Sequence, residues 1–330
     1  MNSFQAYLNA FFNHELYHGW FKKKKFFEGW YFKIVSADGK HAFAFIPGIA
    51  MDNAGKKQAF VQVLDGKGYT ATYHSFPAET FQPNPKSFLI KVGENSFSLD
   101  SIHLHLSNIQ GEINFTNHFL WPKKMLAPGI MGWYAFVPFM ECYHQVISMN
   151  FRLKGSLQIN NSTIDFTDGK GYLEKDWGHS FPEAWIWMQS NHFNSDPTSF
   201  KLSVAKIPWL RSHFIGFISA FLIDGKLYRF ATYTGAKLTQ VNVSDEVVFV
   251  ELIDKNYKLQ VTAHKAEGAE LAAPILGFMD GRVKESMDAT LHVVLMNRKT
   301  NAVIFNDKGV NAGMEVAGNI QEILNGYKKH

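Results

Sequence analysis

A single cysteine, Cys142, is all the thiol chemistry available to this chain of 330 residues. That excludes an internal disulfide framework and a cysteine-based zinc site, and it points to a reducing compartment. Charge is also sparse. Charged residues are 19% of the chain and the formal net charge is +4, and no basic stripe or motif accompanies them that would make nucleic acid a partner. The one dense basic run, Lys22, Lys23, Lys24 and Lys25, reads as a solvated turn or as a contact with anionic lipid. Long apolar runs are missing too. The uncharged stretch from Met125 to Met140 is shorter than a membrane span, and Pro128, Gly129, Gly132 and Pro138 interrupt it. The first residues do not read as a signal peptide, so a cytoplasmic protein is expected, with peripheral membrane contact as the alternative. There is no GxSxG elbow, no P-loop and no dinucleotide fingerprint in a strand-to-helix context, which argues against a nucleotide-dependent enzyme.

What the chain has in abundance is aromatic carbon. Phe, Tyr and Trp make up 15% of residues, with 30 Phe, 12 Tyr and 8 Trp. Aromatics favour strands and make good walls for apolar pockets, although a Phe-rich core would account for many of them. After Lys25, short β-branched and aromatic runs alternate with turn signals such as Ala37-Asp38-Gly39, Asp65-Gly66, Gly93-Glu94-Asn95 and Asp224-Gly225. That spacing predicts a mainly β fold of antiparallel sheet, barrel or sandwich. Helix is expected mainly in the first twenty residues, where Phe4, Tyr7, Leu8, Phe11 and Phe12 follow an i, i+3, i+4 stripe between a Ser3 cap and a Gly19 stop. Packing on the body is the simplest use of that stripe, and a lid or an interfacial anchor are the others. One short turn is also expected within residues 269–277. Asp65-Gly66-Lys67-Gly68-Tyr69 recurs as Asp168-Gly169-Lys170-Gly171-Tyr172, compatible with two related halves, residues 1–165 and 166–330, although turn chemistry alone would produce the echo.

Three stretches combine titratable groups with aromatics. In FFEGWYFK, residues 26–33, strand alternation puts Glu28, Trp30 and Phe32 on one side and Gly29, Tyr31 and Lys33 on the other. Glu28 is then either a desolvated acid or the partner of a lysine at the rim. In residues 127–148, Glu141 and Tyr143 alternate with Cys142 and His144 inside an apolar run, and such polar groups need partners or a task. In GYLEKDWGHSFPEAWIWMQSNHF, residues 171–193, alternation groups Glu174 with Asp176 and opposes them to Lys175 and Trp177, with His179 close by. Further on, Trp185, Trp187, Gln189 and Asn191 share a face, two indoles followed by two amides, a suitable pocket wall. A surface hairpin with ordinary ion pairs is the alternative. His103 and His105 share the polar face of a strand, and exposed histidines are the commoner outcome there than a zinc site.

FFEGWYFK at 26–33, APGIMGWYAFVPFMECYH at 127–144 and the block at 171–193, with GRVKESMDATLHVVL at 281–295 and Glu315-Val316-Ala317-Gly318, resemble the tocopherol cyclase family. The matching blocks run in order from about residue 17 to residue 319. The resemblance implies two lipocalin-like antiparallel β-barrel or sandwich halves, as in carotenoid-hydratase-like proteins. It implies closure of a chromanol ring from a prenylated hydroquinone with no redox cofactor, so an apolar isoprenoid is the expected ligand. Plant members carry transit peptides, and the N-terminal residues here do not read as one, so a bacterial member is expected. That chemistry needs an acid held neutral to protonate an alkene, aromatic faces to shelter the developing cation, and exclusion of water. Asp176 or Glu174 is the candidate acid, with Glu28 third. Trp177, Trp185, Trp187, Trp30 and Tyr31 are candidate walls. His179, His144, Gln189 and Asn191 are candidates to orient the ring, with Glu141 and Tyr143 beside them. A lipid or quinone carrier and an isoprenoid hydratase are the alternatives on the same fold.

Overall fold

The computed structural model describes residues 2–124, 127–138, 140–209 and 212–327. Met125, Leu126 and Phe139 of the uncharged stretch therefore lie outside the described residues. Among the described residues no helix is long and apolar enough to cross a membrane. Contacts divide the chain into two units: Met1–Phe181 with Glu270–Arg282, and Pro182–Ala269 with Val283–His330.

The first unit is built on β1 (Phe26–Val35), β2 (Ala42–Met51), β3 (Lys57–Asp65), β4 (Thr70–Pro77), β5 (Phe81–Pro83), β6 (Leu89–Val92), β7 (Asn95–Ser98), β8 (Ser101–His105), β9 (Ile109–Thr116), β10 (Cys142–Ile159), β11 (Ser162–Asp165) and β12 (Lys170–Gly178). Its sheet runs β4-β3-β2-β1-β12-β10-β9-β8-β7-β6-β5, an open path rather than a closed ring. Because β12 pairs between β1 and β10, the first unit extends past residue 165, where the repeated pentapeptide suggested a boundary. The two copies of that pentapeptide serve different ends. Tyr69 is exposed at the β3–β4 turn, whereas Tyr172 is fully buried within β12. Residues 270–282 join this unit partly through Gln62, whose side-chain amide pairs with both the N–H and the carbonyl of Ala272, at 2.8 and 3.0 Å. The turn expected within residues 269–277 is instead a strand, Ala269–Ile275, followed by a tight bend at Leu276 and Gly277.

Burial follows the sequence periods. Strands such as β9 bury their apolar side chains at alternating positions and expose the polar ones between, while β1 is buried almost throughout, as expected of a strand covered on both faces. One face of β1 supplies Phe26, Trp30, Phe32 and Ile34 to the core. Phe32 there lies between Phe88, Phe97 and Phe115, with ring centroids 5.7–6.1 Å away. The second unit repeats the architecture, with strand 184–190 central and a core of its own that includes Phe200, Phe221 and Ile323.

Two features of the N-terminal segment depart from expectation. The helix, α1 (Ser3–Phe12), is capped by Asn2 through a reciprocal pair with Gln5, and it stops at Asn13 rather than Gly19. It also packs through Ala6 and Ala10, leaving the aromatic stripe outward. Beyond it, residues 14–18 lie over a buried charge. Lys175 Nζ sits 2.5 Å from Glu28 Oε1 and 2.9 Å from His18 Nδ1, and it donates to the carbonyls of His14 and Leu16. Glu28 accepts the His18 backbone N–H through both carboxylate oxygens at 2.9 Å. Lys175 and Glu28 are both 0% exposed.

Burial pushes the Glu28 carboxyl up to about 7 against the pull of Lys175, and it pushes Lys175 down to about 8 against the pull of Glu28. Burial, aided by His18 and Lys175, also lowers His14 to about 3, and burial with Lys175 holds His18 well below the usual range. Both imidazoles are therefore neutral at pH 7. With a raised folded-state value, Glu28 contributes stability that declines as pH climbs from the ordinary carboxylate range to about 7. Lys175, with a lowered value, contributes stability that grows as pH climbs from about 8 to the ordinary lysine range. Urea midpoints of the wild type should therefore dip between these windows, and the Glu28→Gln/Lys175→Met double variant should flatten the dip. Lys175→Met alone, which orphans a buried carboxyl, should cost about 3–5 kcal/mol, and the double variant should cost less. Equal losses in the single and double variants would contradict the coupling.

Candidate functional site

Strand β12 reads GYLEKDWG from Gly171, and alternation along it decides what each face carries. Lys175 and Trp177 turn to the core. Glu174 and Asp176 turn the other way, where pairing with β1 and β10 places Tyr31 opposite Glu174 and His144 opposite Asp176. His144 Nδ1 lies 2.9 Å from Asp176 Oδ1, and His144 Nε2 lies 3.5 Å from Glu174 Oε2. The Tyr172 hydroxyl donates to Glu174 Oε2 at 2.6 Å. An ionised carboxylate only accepts, so Asp176 assigns the proton of neutral His144 to Nδ1. Nε2 is then left with its lone pair, buried and without a hydrogen bond, facing Glu174. The imidazole is therefore a bridge along which a proton can pass between two carboxyl groups. Lys33, fully buried, stands opposite Tyr172 in the register of the same face. Cys142 closes the end of the cluster with Sγ 3.7 Å from Asp176 Oδ1; burial, then Asp176, pushes its thiol well up, so it is a donor and not a nucleophile.

The segment before β10 fixes this strand. The His144 backbone N–H meets Met131 Sδ at 3.0 Å, Gln145 Oε1 accepts from the Ile130 N–H at 3.2 Å, and the Tyr143 hydroxyl donates to the Val137 carbonyl. Gly129 is required by this approach, because a Cβ there would lie 1.8 Å from Gln145 Oε1. Past the pairing of Val146 with Glu174 the β10–β12 register shifts twice, a pair of irregularities beside the polar cluster. One nitrogen of His144 and one oxygen each from Glu174 and Asp176 lie within 4.8 Å of one another, a donor set that could also hold a divalent ion.

The remaining sequence candidates divide between three places. Glu28, Trp30, Trp177 and Tyr143 lie on the core face, where the indoles of Trp30 and Trp177 sit 4.7 and 4.8 Å from the Lys175 ammonium. The imidazole of His18 stacks on Trp177 at 4.2 Å and Tyr143 stacks on it at 5.3 Å. Two indoles expected to shelter a carbocation thus shelter a cation of the protein itself. Glu28 has its lysine, deep in the core rather than at a rim. Glu141 and His179 lie at the strand end, where the Glu141 carbonyl accepts the His179 N–H at 2.8 Å across Gly178, whose φ of +154° and lack of a side chain admit that contact. His103 and His105 are exposed, and His105 pairs with Glu94 at 3.2 Å.

Trp185, Trp187, Gln189 and Asn191 belong to the second unit. They share a face as alternation requires, opposite the core residues Ile186 and Met188. That face is itself buried, with Gln189 at 0% and Asn191 at 1% exposure, and the Trp185 indole donates to Glu315 Oε2 at 2.6 Å. Lys201, Glu285 and Glu315 are its register neighbours. Sequence reasoning missed the roles of Lys175, His14, His18 and Tyr172. For Lys175 the signal was present, because alternation opposed it to Asp176. The histidines come from a segment whose contact with β12 has no local signature. A separate cleft of about 260 Å³, lined by residues including Gln58, Tyr73, Glu270 and Arg282, holds none of the candidates.

The profile of a family described as tocopherol cyclase-like matches residues 104–318. A rice protein, "Probable tocopherol cyclase, chloroplastic" from Oryza sativa subsp. japonica, is 28% identical over 158 residues, 44% of this chain and 32% of that protein. A maize protein, "Tocopherol cyclase, chloroplastic" from Zea mays, is 22% identical over 283 residues, 67% of this chain and 59% of its own length. The chain thus spans under two thirds of the length of both curated relatives. Crystal structures of CghA alone and with Sch210972 share the fold, with TM-scores of 0.53 and 0.52 at 10% identity over 89% of this chain and 88% or 89% of theirs.

The geometry fixes a tautomer that can be read directly. Long-range ¹H–¹⁵N spectra should show neutral His144 carrying its proton on Nδ1, and Asp176→Asn should convert it to a mixture. A pure Nε2–H form in the wild type would show that Asp176 does not orient the ring.

Proposed function

The chain belongs to the tocopherol cyclase-like family, and on that premise we propose that it is an acid–base enzyme closing a chromanol ring from a prenylated hydroquinone. The observation that supports this reading is the half-buried His144 bridge between buried Glu174 and half-buried Asp176, on one face of β12. A proton is added to the less substituted carbon of a trisubstituted alkene. The π electrons form that C–H bond and leave the tertiary carbon positive. The phenol oxygen then closes the C–O bond, and the phenolic proton goes to a base, replacing the one spent. Substrate and product are isomers, so no oxidant, reductant or redox cofactor enters the balance.

In this scheme Glu174 is the proton donor, because a carboxyl shielded from water keeps its proton more readily than an exposed one. His144 carries the returned proton to it, and Asp176 is a positioning residue that holds the ring. Tyr31 and Tyr172 offer the aromatic surface on the same face, and Trp30 and Trp177 are withdrawn from that role by Lys175. Glu28, third candidate for the acid, is reassigned to the core.

The test is incubation of the purified chain with a panel of prenylhydroquinones. The expected product has unchanged mass and a shifted chromatographic position. Glu174→Gln and Asp176→Asn should each lower kcat by about a hundredfold or more. Full cyclisation by Glu174→Gln would overturn the assignment of the acid, and full cyclisation by Asp176→Asn would overturn the positioning role. A product heavier by one water would identify a hydratase, and unchanged ligand recovered bound would identify a carrier.

A further inference from the structure

The aromatic stripe of α1 is turned outward, and its composition is unusual for a surface. At 100° per residue, Tyr7, Phe11, Phe4, Leu8 and Phe12 span an arc of about 140°, with Ala6 and Ala10 on the opposite side. Phe4 is 60% exposed, Phe12 52% and Leu8 44%. The patch continues beyond the helix. Tyr7 meets Phe21, itself 55% exposed, at 5.6 Å, and Phe11 meets Phe136 at 5.3 Å, in the same short helical turn as the exposed Trp133. Scattered apolar residues on a surface need no explanation, but a contiguous aromatic patch of this kind marks a contact surface.

The patch is held rigidly. Asn9 Nδ2 donates to the Pro85 carbonyl at 3.1 Å, Ala6 and Ala10 are buried, and residues 14–18 are pinned by Lys175. The helix has no charged residue of its own. Directly after Phe21 come Lys22, Lys23, Lys24 and Lys25, all exposed, while the nearby Glu15 carboxylate is already paired with Lys123 at 2.7 Å. Aromatic side chains with a cationic flank match the two layers of an anionic bilayer surface, an acyl boundary beneath a sheet of phosphates. We propose that α1, Phe21 and the lysine run form a docking site for anionic membrane surfaces, with the aromatic face inserted at the headgroup boundary and the lysines on the phosphates. The site stands on its own observations and does not depend on the cyclisation chemistry.

The test is co-sedimentation of the full chain with sucrose-loaded vesicles, either phosphatidylcholine alone or phosphatidylcholine with about one-third phosphatidylglycerol. The chain should sediment with the anionic vesicles at least about tenfold more strongly than with the neutral ones, and high salt should weaken the binding. Phe4→Ser, Phe12→Ser and Phe21→Ser together should reduce binding by at least about tenfold. A second variant with all four lysines changed to Gln should lose the preference for anionic vesicles. All these positions are solvent-exposed, so the urea midpoint should not move, which separates lost binding from lost folding. Wild-type protein left in the supernatant with anionic vesicles would overturn the proposal. So would undiminished binding by the triple Ser variant, or a concentration-dependent dimer, abolished by that variant, in the absence of vesicle binding.

Discussion

An ammonium group placed in a hydrocarbon core is tolerated only if every one of its hydrogen atoms is answered, and Lys175 shows how much structure that requirement recruits. Its partners are the Glu28 carboxyl on the neighbouring strand, the carbonyls of His14 and Leu16 and the His18 ring from the chain's first turns, and two indole faces, Trp30 and Trp177. Removing any of these leaves charge or polar atoms stranded in low dielectric. The arrangement therefore fixes the register of β1 against β12, with Trp30 beside Lys175, and fixes the path of residues 14–18 across the end of the core.

The polar cluster on the opposite face depends on the same register. Because Lys175 must point inward, Glu174 and Asp176 must point outward, and pairing with β10 then delivers His144 between them. The two charge networks are close in sequence and opposite in purpose. The inner one has neutral imidazoles and a carboxyl and ammonium locked in mutual contact. The outer one has an imidazole with one nitrogen committed and the other uncommitted, the condition under which a proton can move.

Much of this was legible in the residues. The mainly β class follows from the period of the apolar runs and the Asp-Gly turns, and the parity of β1, β12 and strand 184–190 follows from alternation alone. The grouping of Glu174 with Asp176, and of Trp185 with Trp187, needed nothing more. Alternation does not say which parity faces a core, and that decides whether Glu28 is an acid or an ion-pair partner. The answer lies in a contact between residues 14–18 and Lys175, about 160 positions apart, for which no local pattern exists. The α1 stripe misled for a related reason. A helical period identifies an apolar face, but two alanines on the other side can do the packing when the surface beneath is close.

The alternation of β12 has a consequence for descent. Residues that hold the protein together and residues proposed to act on a ligand occupy odd and even positions of one strand, with the backbone between them. Substitutions at the outward positions change the chemistry on offer without entering the core, and substitutions at the inward positions are policed by folding alone. A strand divided in this way lets a lineage try new reactions while its cohesion stays under separate selection.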